Sequence, residues 1–339
     1  MATHADDAGA ARYDVLGIGN AIVDVLAQVG DAFLDEHGLT KGVMQLCSAD
    51  DAERLYADMP PAKESSGGSV ANSMAGVASF GGRAAFAGKV RDDQLGRVFV
   101  HDITAAGVTF VAGLAPASAA LPTARSLVLV TPDAHRTMNT SLGISVGLTV
   151  DDVPADVVAS ASVLFLEGYL WDEPSVRPVL VAAMEAARSA GRLVAFSLSD
   201  PYCVDRHRSD FRELVSSSVD VLFANEHEAQ SLYEVDGFSA ALDAVRSRGR
   251  SGVAAVTRGP AGSVIVTDDD MVVIEAAPVP AVVDTTGAGD LYAAGVLYGL
   301  SRGMAPSEYG RLGSLAAAEV ISHVGARPER SLAELVSAL

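Results

Sequence analysis

The residues most able to do chemistry stand together near the end of the chain, in Asp284-Thr285-Thr286-Gly287-Ala288-Gly289-Asp290. Gly287, Ala288 and Gly289 lie where a β-branched, strand-like run (279–286) gives way to a helical one (291–302). Small residues there let the backbone turn tightly and leave the first helical amides uncovered, so that they can converge on an anion. Aligned peptide dipoles add about half a positive charge at that end. An aspartate beside a helix start ordinarily reads as a cap. Asp290 comes after the glycines instead, where a base could face an incoming phosphate, and a phosphoryl acceptor hydroxyl needs such a base within reach. The chemistry this predicts is phosphoryl transfer.

Other groups could complete such a site. Arg136 is a cation for the transferring phosphate in a chain without a Walker lysine. Asn225-Glu226-His227-Glu228 reads first as a helix cap with acids in the opening turn. Alternatively, Asn225 and Glu228 hold magnesium and its waters, since magnesium keeps several waters and takes few protein ligands. Gly67-Gly68-Ser69-Val70-Ala71-Asn72 permits close backbone approach by a ligand, with Asn72 one turn into the following helix on the face of Gly68. Asp24 sits among apolar residues, where an ionised carboxylate needs a partner. Tyr169 and Trp171 could form an aromatic wall, with core packing the expected fate of Trp171. Gly17-Ile18-Gly19 mimics a dinucleotide fingerprint but lacks the third glycine, and Asp24 comes too early for the ribose-binding acid. The seven histidines lie in no ligand-like spacing, so metal clusters and Ser-His-Asp triads find no support.

The elements that must position these residues show an alternation. Strand-like runs at 163–167, 193–197 and 219–224 interleave with helical ones at 174–189, 208–215 and 226–233, which predicts a parallel sheet with right-handed crossovers. A buried strand at 13–19, a helix after the paired glycines, a strand at 84–89 and a helix at 93–106 precede them. Three short strands at 253–257, 263–267 and 271–276 are expected as an antiparallel edge. Helices at 308–324 and 332–338 close the core. Strand patterns at 22–29 and 43–46, and a hairpin of 126–131 with 136–139 turning at Pro132-Asp133-Ala134, stand outside the alternation. They are expected to form a small β-rich lid (21–66 and 121–145) over the carboxyl ends of the main strands, where open α/β sheets take ligands. Segments 1–20, 67–120 and 146–339 would then make the large α/β domain.

Composition bounds the partners. A formal charge of -19 with scattered Lys and Arg excludes nucleic acid and anionic membrane as natural ligands. Cys47 and Cys203 are too few for a disulfide framework and fit a reducing cytoplasm. The opening residues lack the apolar core of a signal peptide, and the apolar run at 291–300 is too short for the roughly 20 residues of a membrane span.

Gly67-Gly68 with Asn72, Asn225 to Glu228, and above all Asp284 to Asp290 resemble, in order and spacing, the motifs of the ribokinase-like (PfkB) carbohydrate and nucleoside kinases. The similarity runs from Tyr13 to about Pro328, and Gly19-Asn20 with Asp24 and Ser69 place it nearest the adenosine-kinase branch. The resemblance implies a ribokinase-like three-layer α/β/α sandwich with a mainly parallel sheet and a small lid. It implies an ATP- and magnesium-dependent kinase that phosphorylates the 5′-hydroxyl of a ribonucleoside, adenosine to AMP in purine salvage, as a cytoplasmic monomer or homodimer. Asp290 would be the base, Gly287, Ala288 and Gly289 the anion hole, and Arg136 the partner of the transferred phosphate. Asp24, Gly67, Gly68 and Asn72 would hold the ribose, and Asn20, Met138, Leu142 and Tyr169 would surround the purine. Thr257, Gly259 and Ser314 fall where the family contacts ATP, beside Asn225 and Glu228. A potassium ion near Asp284 and residues 323–325 would be in keeping with the family. Met138, Thr140 and Tyr169 replace residues common in that base pocket, so a sugar or sugar-acid kinase stands as the alternative acceptor class. A non-catalytic nucleoside sensor is a third reading, disfavoured because it would have no need of Asp290.

Overall fold

The computed structural model describes residues 11–337 apart from 134 and 251. The acidic opening residues, Ala134 of the hairpin turn and Ala338 of the last helix lie outside the described residues. Fourteen strands among these residues form two sheets.

The larger sheet contains β1 (Tyr13–Ile18), β5 (Ala84–Ala87), β6 (Thr109–Phe110), β9 (Ala161–Glu167), β10 (Leu193–Ser197), β11 (Val221–Asn225), β12 (Val253–Thr257), β13 (Ser263–Val266) and β14 (Met271–Ile274). Their order is β14-β13-β12-β11-β10-β9-β1-β5-β6. β1 pairs in parallel with both β5 and β9, and the parallel run continues through β10, β11 and β12. Strands buried on both faces read as continuous apolar runs, and β1 and β5 are buried at every position. Val15 faces one apolar cluster and Leu16 and Ile18 the other, so helices cover both sides. The expected antiparallel edge is smaller than three strands: β12 is parallel to β11, and only β13 and β14 run antiparallel.

The smaller sheet, ordered β3-β8-β7-β2-β4, gathers β2 (Ile22–Gln28), β3 (Met44–Leu46), β4 (Lys63–Gly67), β7 (Ala124–Val130) and β8 (Arg136–Ser141). The hairpin is present, β7 against β8, with Val128 opposite Met138 and Val130 opposite Arg136. Side chains alternate across a strand. The register therefore puts Asp24, Ser126, Thr140, Met138, Arg136, Met44 and Leu46 on one face, and Val25, Leu127, Asn139 and Gln45 on the other. Helices Asp31–Glu36 and Ala49–Asp58, which periodicity in the sequence did not suggest, belong to this part of the chain.

Three boundaries depart from expectation. The helix expected at 208–215 begins at Pro201, because Asp200 accepts the Cys203 amide as an N-cap and proline suits the first helical position. The β-branched run before Gly287 is no strand: its residues have no strand neighbour, and the Val283 amide donates to the carbonyl of Ile321. The helix expected to reach 324 ends at Val320, freeing residues 321–331 to fold back over the site. No described helix is long and apolar enough to cross a membrane.

Candidate active site

The site lies at the carboxyl ends of the parallel strands, on both sides of the helix Ala288–Ser301. Gly287 adopts φ +80° at the N-cap, a conformation that side-chain-bearing residues rarely take, and a Cβ there would meet the backbone of Ala326. The amide of Ala288 closes a turn onto Thr285, and the Leu291 amide makes the first helical bond, to Gly287. Between them the Gly289 and Asp290 amides carry no hydrogen bond among the described residues, and Gly289 is exposed. Two free donors at a helix N-terminus make an anion site.

Asp290 is held from the neighbouring helix Ser69–Ser79. Ser69 Oγ donates to one carboxylate oxygen at 2.7 Å and Asn72 Nδ2 to the other at 2.9 Å, while Ser73 Oγ donates to the Asp290 carbonyl at 2.9 Å. Each oxygen keeps a lone pair for a further proton donor. Enclosure by protein raises the Asp290 pKa, with Asn72, Ser69 and the charge of Arg327 pulling it back. A half-buried carboxylate so placed is more basic than one in water.

Arg136 crosses from β8 to this turn. Its Nη2 lies 2.5 Å from Asp284 Oδ2 and its Nη1 donates to Thr286 Oγ1 at 3.0 Å. Asp284 also accepts from the amide and hydroxyl of Thr286 and from the Gly325 amide. Both oxygens of the expected potassium neighbour are therefore engaged by protein donors.

Asp24 faces the same space from β2. Gly67 leaves room for it, since a Cβ there would lie 2.3 Å from a carboxylate oxygen. Burial pushes the Asp24 pKa up to about 6, Arg327 draws it down and Asp290 adds a further upward push. Arg327 had no local sequence signal. It donates to Asn72 Oδ1 at 2.8 Å and to Ser66 Oγ at 2.9 Å, joining the helix Ser69–Ser79 to β4 of the small sheet.

On the other side of Asp290 a cavity of about 550 Å³ is lined by Asn225, Glu228, Thr257, Gly259, Gly289 and Ser69, among others. Asn225 caps the helix Glu226–Tyr233, taking the His227 and Glu228 amides on Oδ1. Its own backbone and side-chain N–H groups donate to the two oxygens of Glu228. The capping and lining readings of this motif thus coexist. Burial pushes Glu228 up to about 7.

The remaining expected residues make the following contacts, with Trp171 in the core as expected. Asn20 is buried with its side chain committed to Glu167 and Ser145, and Ser314 ties its hydroxyl to the backbone of Glu275 and Ala277. Asn20 keeps a second side-chain N–H, whereas the Ser314 proton is spent on the Glu275 carbonyl. Trp171 packs in the core and donates to Asp210. Tyr169 stands half-buried beside Asp200, and burial, then that carboxylate, pushes its phenol above the usual range. Glu167, not expected as a site residue, ends β9 and accepts from the backbone and side chain of Asn20 and from the Val70 amide. It therefore links the entry to the small sheet with the helix that holds Asp290.

The chain is similar to proteins of known family and fold. The pattern of the pfkB family carbohydrate kinase matches residues 47–331. The chain is 50% identical to the crystal structure of adenosine kinase from Sinorhizobium meliloti, covering 97% of this chain and 99% of that one at a TM-score of 0.88. It is 46% identical to the probable sugar kinase from Rhizobium etli CFN 42, covering 97% and 98% at a TM-score of 0.88. A fructokinase from Klebsiella pneumoniae is 31% identical over 69% of this chain and 76% of its own length. The chain belongs to the pfkB family of carbohydrate kinases, with the ribokinase-like fold, and is an ATP-dependent phosphotransferase.

Proposed function

We propose that the acceptor is a ribonucleoside phosphorylated on its 5′-hydroxyl, with adenosine giving AMP. The observation that carries this reading is the shared face of the small sheet. Asp24 stands there with Met138, and the edge strand adds Met44 and Leu46, 49% and 62% exposed. A carboxylate suits a vicinal diol, and an apolar platform suits a flat base, whereas a free sugar needs more hydrogen-bonding groups. The 50% identity to an adenosine kinase supports the same choice.

In this reading the hydroxyl donates to Asp290, which takes its proton as the oxygen forms a bond to the γ-phosphorus and the bond to ADP breaks. The Gly289 and Asp290 amides and Arg136 meet the charge on the transferring group. ATP lies in the cavity beside Asn225, Thr257 and Gly259. Glu228 fits a hydrated magnesium ion: it borders that cavity, and each oxygen accepts one protein bond and keeps lone pairs for water. Such an ion would neutralise phosphate charge. Segments 21–66 and 121–145 act as the lid that keeps water from ATP. A screen of nucleosides and free sugars with ATP and magnesium tests the proposal. Turnover of a hexose but of no nucleoside would move the chain to the sugar-kinase reading.

A further inference from the structure

The cavity beside Asp290 is lined with acids. Glu226, Glu228 and Asp290 border it, and among the described residues Arg258 is the only arginine or lysine in its lining. Arg136 does not line it and is committed to Asp284 and Thr286. A nucleoside triphosphate carries several negative charges, of which a magnesium ion offsets only a part. The uncovered helix amides add no more than partial charge. An anion entering so acidic a cleft is favoured by a further fixed cation.

Arg258 is placed to supply it. It follows Thr257, the last residue of β12, and precedes the short helical turn Gly259–Ala261. Its amide donates to the Gly262 carbonyl at 2.8 Å and closes that turn. The guanidinium carbon lies 4.1 Å from the ring centroid of Phe238, the first residue of the helix Phe238–Arg246. Stacking holds a long side chain by its face and leaves the N–H edge available, so less freedom is lost when a ligand binds. Glu226 Oε2 stands 3.7 Å from Nε, too far for a hydrogen bond, and the enclosed Nε has no other partner. Nη1 and Nη2 make no hydrogen bond among the described residues either, and they are open to solvent on a side chain that is 40% exposed. We propose that Arg258 binds the phosphate chain of the nucleotide, an assignment that rests on ATP lying in this cavity. Arginine meets phosphate oxygens with two parallel N–H donors. The two cations then divide the charge, Arg136 meeting the transferring group and Arg258 the phosphates that stay with ADP.

The experiment measures ADP affinity of the full chain by calorimetry, with magnesium and no acceptor present. Arg258→Met should weaken ADP roughly ten- to hundredfold, the scale of a hydrogen bond to a charged group. Arg258→Lys keeps the charge without the fork and should recover part of that loss. Added salt should weaken ADP binding less in Arg258→Met than in the wild type, because one of the screened charges is gone. A role limited to packing on Phe238 would leave the salt dependence unchanged. Gly289→Leu puts a side chain into open space on the lining of the same cavity and separates the two readings. If Gly289→Leu loses ADP while Arg258→Met keeps the affinity and salt dependence of the wild type, the nucleotide lies in the cavity and Arg258 takes no part in holding it. If neither substitution weakens ADP, the nucleotide lies elsewhere and both assignments fail. Weaker binding in Arg258→Met with an unchanged salt dependence and no recovery in Arg258→Lys also overturns the inference.

Discussion

Arg136 Nη2 lies 2.5 Å from Asp284 Oδ2, a contact that ties a strand of the small sheet to the turn that delivers Asp290. The pair holds a guanidinium, only 15% exposed, beside the uncovered amides of the helix. Arg136→Met should lower kcat by about two to three powers of ten, the usual scale for losing a donor to transition-state charge, with little change in the acceptor KM. Steady-state kinetics checks this, and a change confined to KM would remove Arg136 from the transferring phosphate.

Asp290 is oriented by two donors on another helix, so its proton-accepting role and its placement can be separated. Asp290→Asn should lower turnover by roughly two to four powers of ten while ATP and acceptor still bind. Asn72→Ala leaves the carboxylate but removes one of its two donors, and should cost less in kcat than Asp290→Asn. Near-normal turnover by Asp290→Asn would refute the assignment of the base.

Asp24 and Asn72 can each engage a hydroxyl of a ribose diol. A 2′-deoxyribose leaves a buried polar group without its partner, a loss of about 1–3 kcal/mol. Adenosine should therefore be phosphorylated at least roughly tenfold more efficiently than 2′-deoxyadenosine, at 1.4 kcal/mol per decade. Asp24→Ala should erase much of that preference. Equal efficiency of the wild type on both nucleosides removes Asp24 from the ribose site.

The acid limb of the pH profile follows from the same carboxylate. With a pKa near 6, Asp24 loses its charge as pH falls through that value, and one of its oxygens becomes a donor, so it no longer accepts from both hydroxyls of the diol. The profile of kcat/KM reports groups of the free enzyme, so it should bend downward below about pH 6. Asp24→Asn should abolish that inflection and leave those of the other site carboxylates, Asp290 and Glu228. An inflection near 6 that survives the substitution belongs to another group.

Glu167 makes a prediction about stability. Burial holds its pKa near 7, above the 4.5 expected of the unfolded chain, although its hydrogen bonds from Asn20 and Val70 favour the charged form. The native state thus binds the extra proton between those values. The stability from this group is full below about pH 4.5 and is lost as pH rises through 7. Denaturant unfolding at several pH values should show this decline. In Glu167→Gln the slope between pH 5 and 7 should be shallower by up to about one proton. An unchanged slope would mean that Glu167 does not titrate in this range.

What could be read from the sequence was what depends on near neighbours. The glycine turn before Asp290, the Asn225–Glu228 cap, the alternation of strands and helices and the β7–β8 hairpin all follow from backbone sterics and side-chain period, and all are present. Tertiary structure decided which atoms meet. Arg327 stands 255 residues from Asn72 and Glu167 stands 147 from Asn20, and nothing in the residues around them marks the pairing. Asn20 reads like a ligand in sequence, and it is the fold that sets Glu167 and Ser145 around it, each taking one of its side-chain hydrogen bonds. The valines before Gly287 have strand character, yet they pair with no strand, and the Val283 amide bonds the carbonyl of Ile321 instead. Side-chain chemistry names the groups able to act. Burial and long-range packing determine which of them remain free to do so.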